Sequence, residues 1–192
     1  MDIKKQLEGL HLENQLKPEE IPDLDLYMDQ VIQLFENKYA SSKRYEEDKV
    51  LTKTMINNYA KAKLFFPIEN KKYSKDHLFL ISMIYQMKSV LSIKDIGKTF
   101  AKANQRIADE DFDLEKFYAN YMYLMDKNVA GFEEYIAEQE KIFETELDKD
   151  IVNDTYLQQV LLITSLTGMS NFYRRAAEKL VDQLKWKGEQ EE

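Results

Sequence analysis

Five glycines and three prolines are all that punctuate these 192 residues. A sheet-rich chain turns every few residues and needs more of both, so this scarcity points to long helices. The apolar residues agree. Leu24, Tyr27, Met28, Val31, Ile32, Leu34 and Phe35 recur at helical spacing, and the pattern repeats further along the chain. Apolar residues make up 44% of the sequence, enough to bury a core. There is no cysteine, which excludes disulfides, thiolate metal sites and Cys nucleophiles and fits a reducing compartment. No stretch approaches the roughly 20 apolar residues that span a bilayer. Residues Met1–Glu8 lack the apolar centre of a signal peptide. The expectation is a mostly α, soluble, cytoplasmic protein with no membrane contact.

Charge is segregated along the chain. Residues 1–48 carry net −6, residues 49–106 net +9 and residues 107–192 net −11, against −8 for the whole. The central block holds 12 cations and only three acids, Glu69, Asp76 and Asp95. Such a block is a candidate polyanion surface. The other reading is a solvated face paired with the chain's own acidic segments. The net negative charge does not decide the matter, because local charge acts within a Debye length of roughly 8–10 Å.

Capping residues divide the pattern into helices. Residues 1–17 read as a loose helix. Asp23 predicts an N-cap for a helix over 24–39, followed by a polar loop over 40–49. Thr52 caps the next helix, whose apolar stripe is Met55, Ile56 and Tyr59; Pro67 closes the segment. Residues 68–73 read as a small basic hairpin or wing. Ser74 caps a helix over 75–88, and Ser92 caps a short one. Asp113 opens a helix to about Met125, Gly131 interrupts, and a further helix runs to about Leu147. Asp154 opens the last, with Tyr156, Val160, Ile163, Leu166, Phe172, Tyr173, Leu180 and Leu184 among its apolar positions. An acidic run, Glu189 to Glu192, follows.

The order of features over 52–96 resembles the winged helix-turn-helix of the MerR family of bacterial transcription regulators. The shared marks are Tyr59, Leu64 and Pro67 at the end of the recognition helix, Tyr73-Ser74 at the exit of the wing, and Leu91-Ser92-Ile93 with Ile96 beyond it. The chain departs from the pattern at Asn57, where the family has arginine, at Asn58, where it has tyrosine, and at Lys63, where it has glycine. From Ile21-Pro22-Asp23 onward the whole chain also resembles a bacterial domain-of-unknown-function family with a MerR-like core.

The resemblance implies a flexible segment over 1–20, a winged helix-turn-helix domain over 21–106 and an acidic helical dimerisation or sensing domain over 107–192. It implies a sequence-specific regulator that binds double-stranded DNA as a homodimer, with a small-molecule effector left open. The recognition helix, 53–63, would enter the major groove, and the wing, 68–73, would lie on the backbone. Lys53, Thr54, Asn57, Asn58 and Lys61 form the helix face. Asn57 and Asn58 are the base-reading candidates, because Asn pairs bidentately with adenine. Lys61, Lys63, Lys71 and Lys72 would hold phosphates. Tyr73 either donates its hydroxyl to a phosphate or anchors the wing. The aromatic run Phe117, Tyr118, Tyr121, Met122, Tyr123 with Phe132 and Tyr135 lines a ligand pocket or packs as core.

No cofactor, metal site or catalytic residue is expected. The chain has only two histidines, His11 and His77, and no phosphate-binding glycine loop, His-Glu-x-x-His or Gly-x-Ser-x-Gly. The alternative function is a non-enzymatic helical adaptor that binds a protein partner through its basic face.

Overall fold

Helix starts follow from side chains that satisfy the backbone N–H groups left over at helix ends. In the computed structural model, which describes residues 3–184, Thr52 Oγ1 accepts the Met55 N–H at 3.1 Å and starts α3 (Lys53–Lys61). Ser92 Oγ accepts the Asp95 N–H at 3.1 Å and starts α5 (Ile93–Ala108). Asp113 Oδ1 takes the Lys116 N–H at 2.8 Å and starts α6 (Leu114–Thr145). Asp154 Oδ1 takes those of Tyr156 and Leu157 and starts α8 (Thr155–Gln183). The remaining helices are α1 (Ile3–Gln6), α2 (Met28–Tyr39), α4 (Lys75–Met87) and α7 (Lys149–Val152). The chain is mostly helical, as expected. No helix among the described residues is long and apolar enough to cross a membrane.

Several expected elements differ, among them the loose helix over 1–17, of whose described residues only Ile3–Gln6 are helical. The first helix begins at Met28 rather than Leu24, and Asp23 does not cap it. Residues Leu26–Tyr27 (β1) instead extend to pair antiparallel with Lys72–Tyr73 (β2), Leu26 opposite Tyr73. The cap is the Tyr27 backbone, whose N–H donates to Gln30 Oε1 at 2.8 Å, while Asp23 lies 3.7 Å from Lys75 Nζ. The helix after Ser92 is not short but 16 residues long. Gly131 does not interrupt α6, which runs unbroken for 32 residues, about 48 Å at 1.5 Å per residue. One glycine costs a helix only about 1 kcal/mol, and the helix-forming residues on both sides of it outweigh that.

Two cores hold these elements. The larger one gathers α2, α3, α4 and α5 around α4, in which every residue from His77 to Ile84 is buried. It continues past the turn at 109–113 into α6: Leu114, Tyr118 and Met122 belong to it, and Tyr118 stacks on Phe79 with ring centroids 4.3 Å apart. Val181, near the end of α8, also joins it. The smaller core lies out along α6, where Phe143 and Ile136 meet Leu162 of α8. Thus α6 leads away from the first core and α8 returns to it.

The segment before β1, read from sequence as flexible, is pinned at both ends. Ile3 is buried in the smaller core and Leu16 in the larger. Two tyrosines also hold the backbone of Leu16. Its N–H donates to Tyr39 Oη at 3.3 Å, and its carbonyl accepts from Tyr118 Oη at 2.6 Å. Tyr118 Oη is also 3.0 Å from Ser82 Oγ, so strap, α2, α4 and α6 share one buried polar knot.

The aromatic run on α6 does not converge on one pocket. Tyr118 is core, Phe117 and Tyr123 are exposed, and Phe132 and Tyr135 pack against the smaller core. On α8 most of the expected apolar positions are exposed. Tyr156, Ile163, Phe172, Tyr173 and Leu180 face outward, and the packed residues are Leu162, Leu166, Ala177 and Val181. The run Glu189–Glu192 lies outside the described residues.

Candidate nucleic-acid interface

Helix α3 turns its apolar stripe inward and its polar residues out. Ile56 and Tyr59 are buried, whereas Lys53, Thr54, Asn57, Asn58 and Lys61 are all exposed, as the spacing predicts. The helix stops at Lys61, two residues before the expected end. The Lys63 N–H bonds to the Ala60 carbonyl and the Leu64 N–H to the Tyr59 carbonyl, each at 3.0 Å. These two bonds define a Schellman close, whose C′ residue takes a left-handed conformation and is usually glycine. Here it is Lys63, with φ of +53°. A lysine thus holds a conformation that favours glycine and adds a cation at the end of the helix. Leu64 is fully buried behind it, and its carbonyl accepts from Asn104 Nδ2 of α5 at 3.0 Å.

The expected wing is a tight turn. Lys72 N–H donates to the Glu69 carbonyl at 2.8 Å, and both central residues have positive φ, Asn70 at +49° and Lys71 at +61°. That is the pattern of a type I′ turn, where Asn-Gly is preferred. Lysine again stands where glycine is favoured. Within the turn the pairing is a single bridge between Glu69 and Lys72, and the strand that leaves it, β2, pairs onward with β1.

His77 fixes the base of the turn. Its Nδ1 accepts the Ser74 N–H at 3.1 Å, and its Nε2 lies 3.2 Å from the Phe66 carbonyl, to which it donates. Nδ1 therefore carries no hydrogen and the ring is neutral. Burial lowers its pKa, outweighing the opposing bonds to the Phe66 and Pro67 backbone. Tyr73 is 1% exposed, its ring edge-on to Phe65 and His77. Of the two roles open to it, this packing favours anchoring the turn.

The cations differ in how they are engaged. Lys53 pairs with Asp29 of α2 at 2.8 Å, and Lys72 Nζ lies 5.3 Å from the centre of the Tyr27 ring. These two contacts bring the start of α3 and the turn to the same end of α2. Among the described residues, Lys61, Lys63 and Lys71 have no carboxylate partner.

Sequence reasoning missed the contribution of α5. Lys94, Lys98 and Lys102 recur every four residues and are all exposed on its outward face. Their spacing was the available signal, since four residues advance a helix by one turn and keep one face. Lys98 and Lys63 line a cleft of about 330 Å³ between the end of α3, the middle of α5 and the end of α8.

A family model described as a domain of unknown function (DUF1836) matches residues 16–121, more than half of the chain. The chain belongs to this family. The DUF1836 match begins at Leu16, the residue clamped by Tyr39 and Tyr118, and ends at Tyr121, so it takes in the larger core but for Met122 and Val181. No curated protein matches the chain, and no solved structure does.

Proposed function

We propose that this DUF1836 protein is a sequence-specific, non-enzymatic regulator that binds double-stranded DNA. Residues 21–106 would act as a winged helix-turn-helix, with α3 in the major groove and the turn at 69–72 on the flanking backbone. The observation that carries the reading is the placement of lysine at two left-handed, glycine-favouring positions, Lys63 and Lys71. Left-handed backbone costs an L-residue roughly 1–2 kcal/mol. Glycine would avoid that cost at either position; each carries instead a cation that lacks a carboxylate partner among the described residues and stands beside a polar helix face.

On this reading Asn57 and Asn58 contact bases, while Lys61, Lys63, Lys71 and Lys72 contact phosphates. Lys53 must first leave Asp29, so its contribution is smaller. Operators for such domains are read by dimers. The exposed apolar residues of α8 supply a surface for a homodimer, placing dimerisation within 107–192. An effector would then act through α8, whose end touches the larger core at Val181.

The test separates base reading from phosphate holding. In a selection from random duplexes, Asn57→Ala/Asn58→Ala should relax the preferred sequence at one or two positions, each worth about 1–3 kcal/mol. Lys71→Ala/Lys72→Ala should keep the preference and flatten the salt dependence by nearly one unit for each phosphate no longer held. An adaptor that uses its basic face predicts no preferred sequence in either protein.

A further inference from the structure

Helix α5 keeps like charges side by side on its outward face. Lys94, Lys98 and Lys102 are all exposed and one turn apart, so cations meet at Lys94–Lys98 and again at Lys98–Lys102. Like charges four residues apart on a helix repel and destabilise it. None of the three has a carboxylate partner among the described residues. The charges next to the row are engaged elsewhere. Asp95 accepts the Ser92 hydroxyl at the helix start, and Arg106 pairs with Asp111 at its end. In a chain with 35 acidic and 27 basic side chains, an unrelieved row of lysines suits an anion from outside.

The row is held at the far end of α3. A Cβ at Gly97 would stand 3.5 Å from Leu64 Cδ2 and 3.9 Å from the Ala62 carbonyl oxygen, so α5 lies close behind the residues that end α3. Asn104 of α5 donates to the Leu64 carbonyl, and Lys98 shares a cleft with Lys63. At the other end of α3, Lys53 and the turn gather at the start of α2. Cations therefore stand at both ends of the proposed recognition helix. Its nine residues span about 14 Å. The major groove is roughly 12 Å wide, with a phosphate backbone on each side. Lys94 to Lys102 covers about 12 Å of α5, the length of three or four phosphates along one strand.

We propose that Lys94, Lys98 and Lys102 hold the DNA backbone on the side of the groove opposite the turn. Helix α3 then sits between two phosphate grips, the turn on one strand and α5 on the other. The second grip rests on the DNA reading and adds contacts that α3 and the turn do not supply.

The chain has no cysteine, so a single introduced cysteine carries a cleavage reagent to one place. An iron–EDTA group is attached at Lys98→Cys or at Glu69→Cys, and each protein is bound to duplex from the gene's own upstream region. The two should cut on opposite flanks of the same half-site. Cuts from Glu69→Cys alone, or from both on one flank, overturn the second grip and leave the DNA reading standing. Lys94→Gln/Lys98→Gln/Lys102→Gln removes the row and keeps good helix formers, so its melting temperature should not fall. Raising salt from about 50 to about 200 mM should weaken the wild type about 40-fold more than this variant, the loss expected for three phosphates at nearly one unit of slope each. An equal loss in both also overturns the second grip and turns the row toward an acidic protein surface. No duplex binding by the wild type even at low salt removes the DNA reading, and the second grip with it.

Discussion

Lys63 and His77 place opposite demands on the fold. Lys63 holds a conformation that glycine takes without steric cost, so Lys63→Gly should stabilise the protein by about 1 kcal/mol, read as a higher urea midpoint. The same change should weaken duplex binding and lower its salt slope by about one unit. A variant that gains stability and binds duplex as well as before would leave the lysine unexplained. His77 makes stability depend on pH. Its pKa is lowered in the folded chain, so below its ordinary value near 6.5 the unfolded chain takes up a proton that the folded chain resists. Stability is therefore level above about pH 6.5 and falls as pH drops through 6, at up to about 1.4 kcal/mol per unit. His77→Gln keeps an acceptor for the Ser74 N–H and removes the titration. Its urea midpoint should change less between pH 7 and pH 5.5 than that of the wild type.

At the scale of elements, caps were legible and continuity was not. Thr52, Ser92, Asp113 and Asp154 each satisfy orphan N–H groups at a helix start, and that chemistry is local, so sequence alone locates it. The failure at Asp23 is non-local. Leu26 and Tyr27 take their partners from residues 72–73, and no nearby signal marks such a pairing. Gly131 is a failure of magnitude. Read as a break, it is only a weak point inside 32 helical residues, and a Cβ there would meet nothing within 4 Å. Gly131→Ala should accordingly raise the melting temperature by roughly 2–4 °C, about what 1 kcal/mol gives a chain of this size. A fall would mean that another surface packs closely on that face of α6. The site was half legible for the same reason. The outward face of α3 follows from period 3.6, and so does the row of lysines on α5. The left-handed backbone at Lys63 and Lys71 and the burial of Tyr73 follow from how separate segments meet.

The whole molecule joins a helical core to a long arm, and two segments tie the arm back to the core. The strap from Ile3 to Leu16 links the smaller core to the larger, and α8 returns from the arm to Val181, beside the cleft behind α3. A partner or effector that shifts α8 therefore acts on an element that shares a cleft with the end of the proposed recognition helix. The acidic surroundings fit this reading as well. Net −6 and net −11 on either side of a +9 block repel non-specific polyanions and leave binding to the sites where geometry also matches. The most direct measurement is binding to duplex from the gene's own upstream region, against a scrambled duplex of equal length, across a salt series. A regulator of this kind should prefer the upstream duplex even at physiological salt, with a slope reporting several phosphate contacts. Equal binding to both duplexes that vanishes as salt rises, or no binding even at low salt, would contradict it.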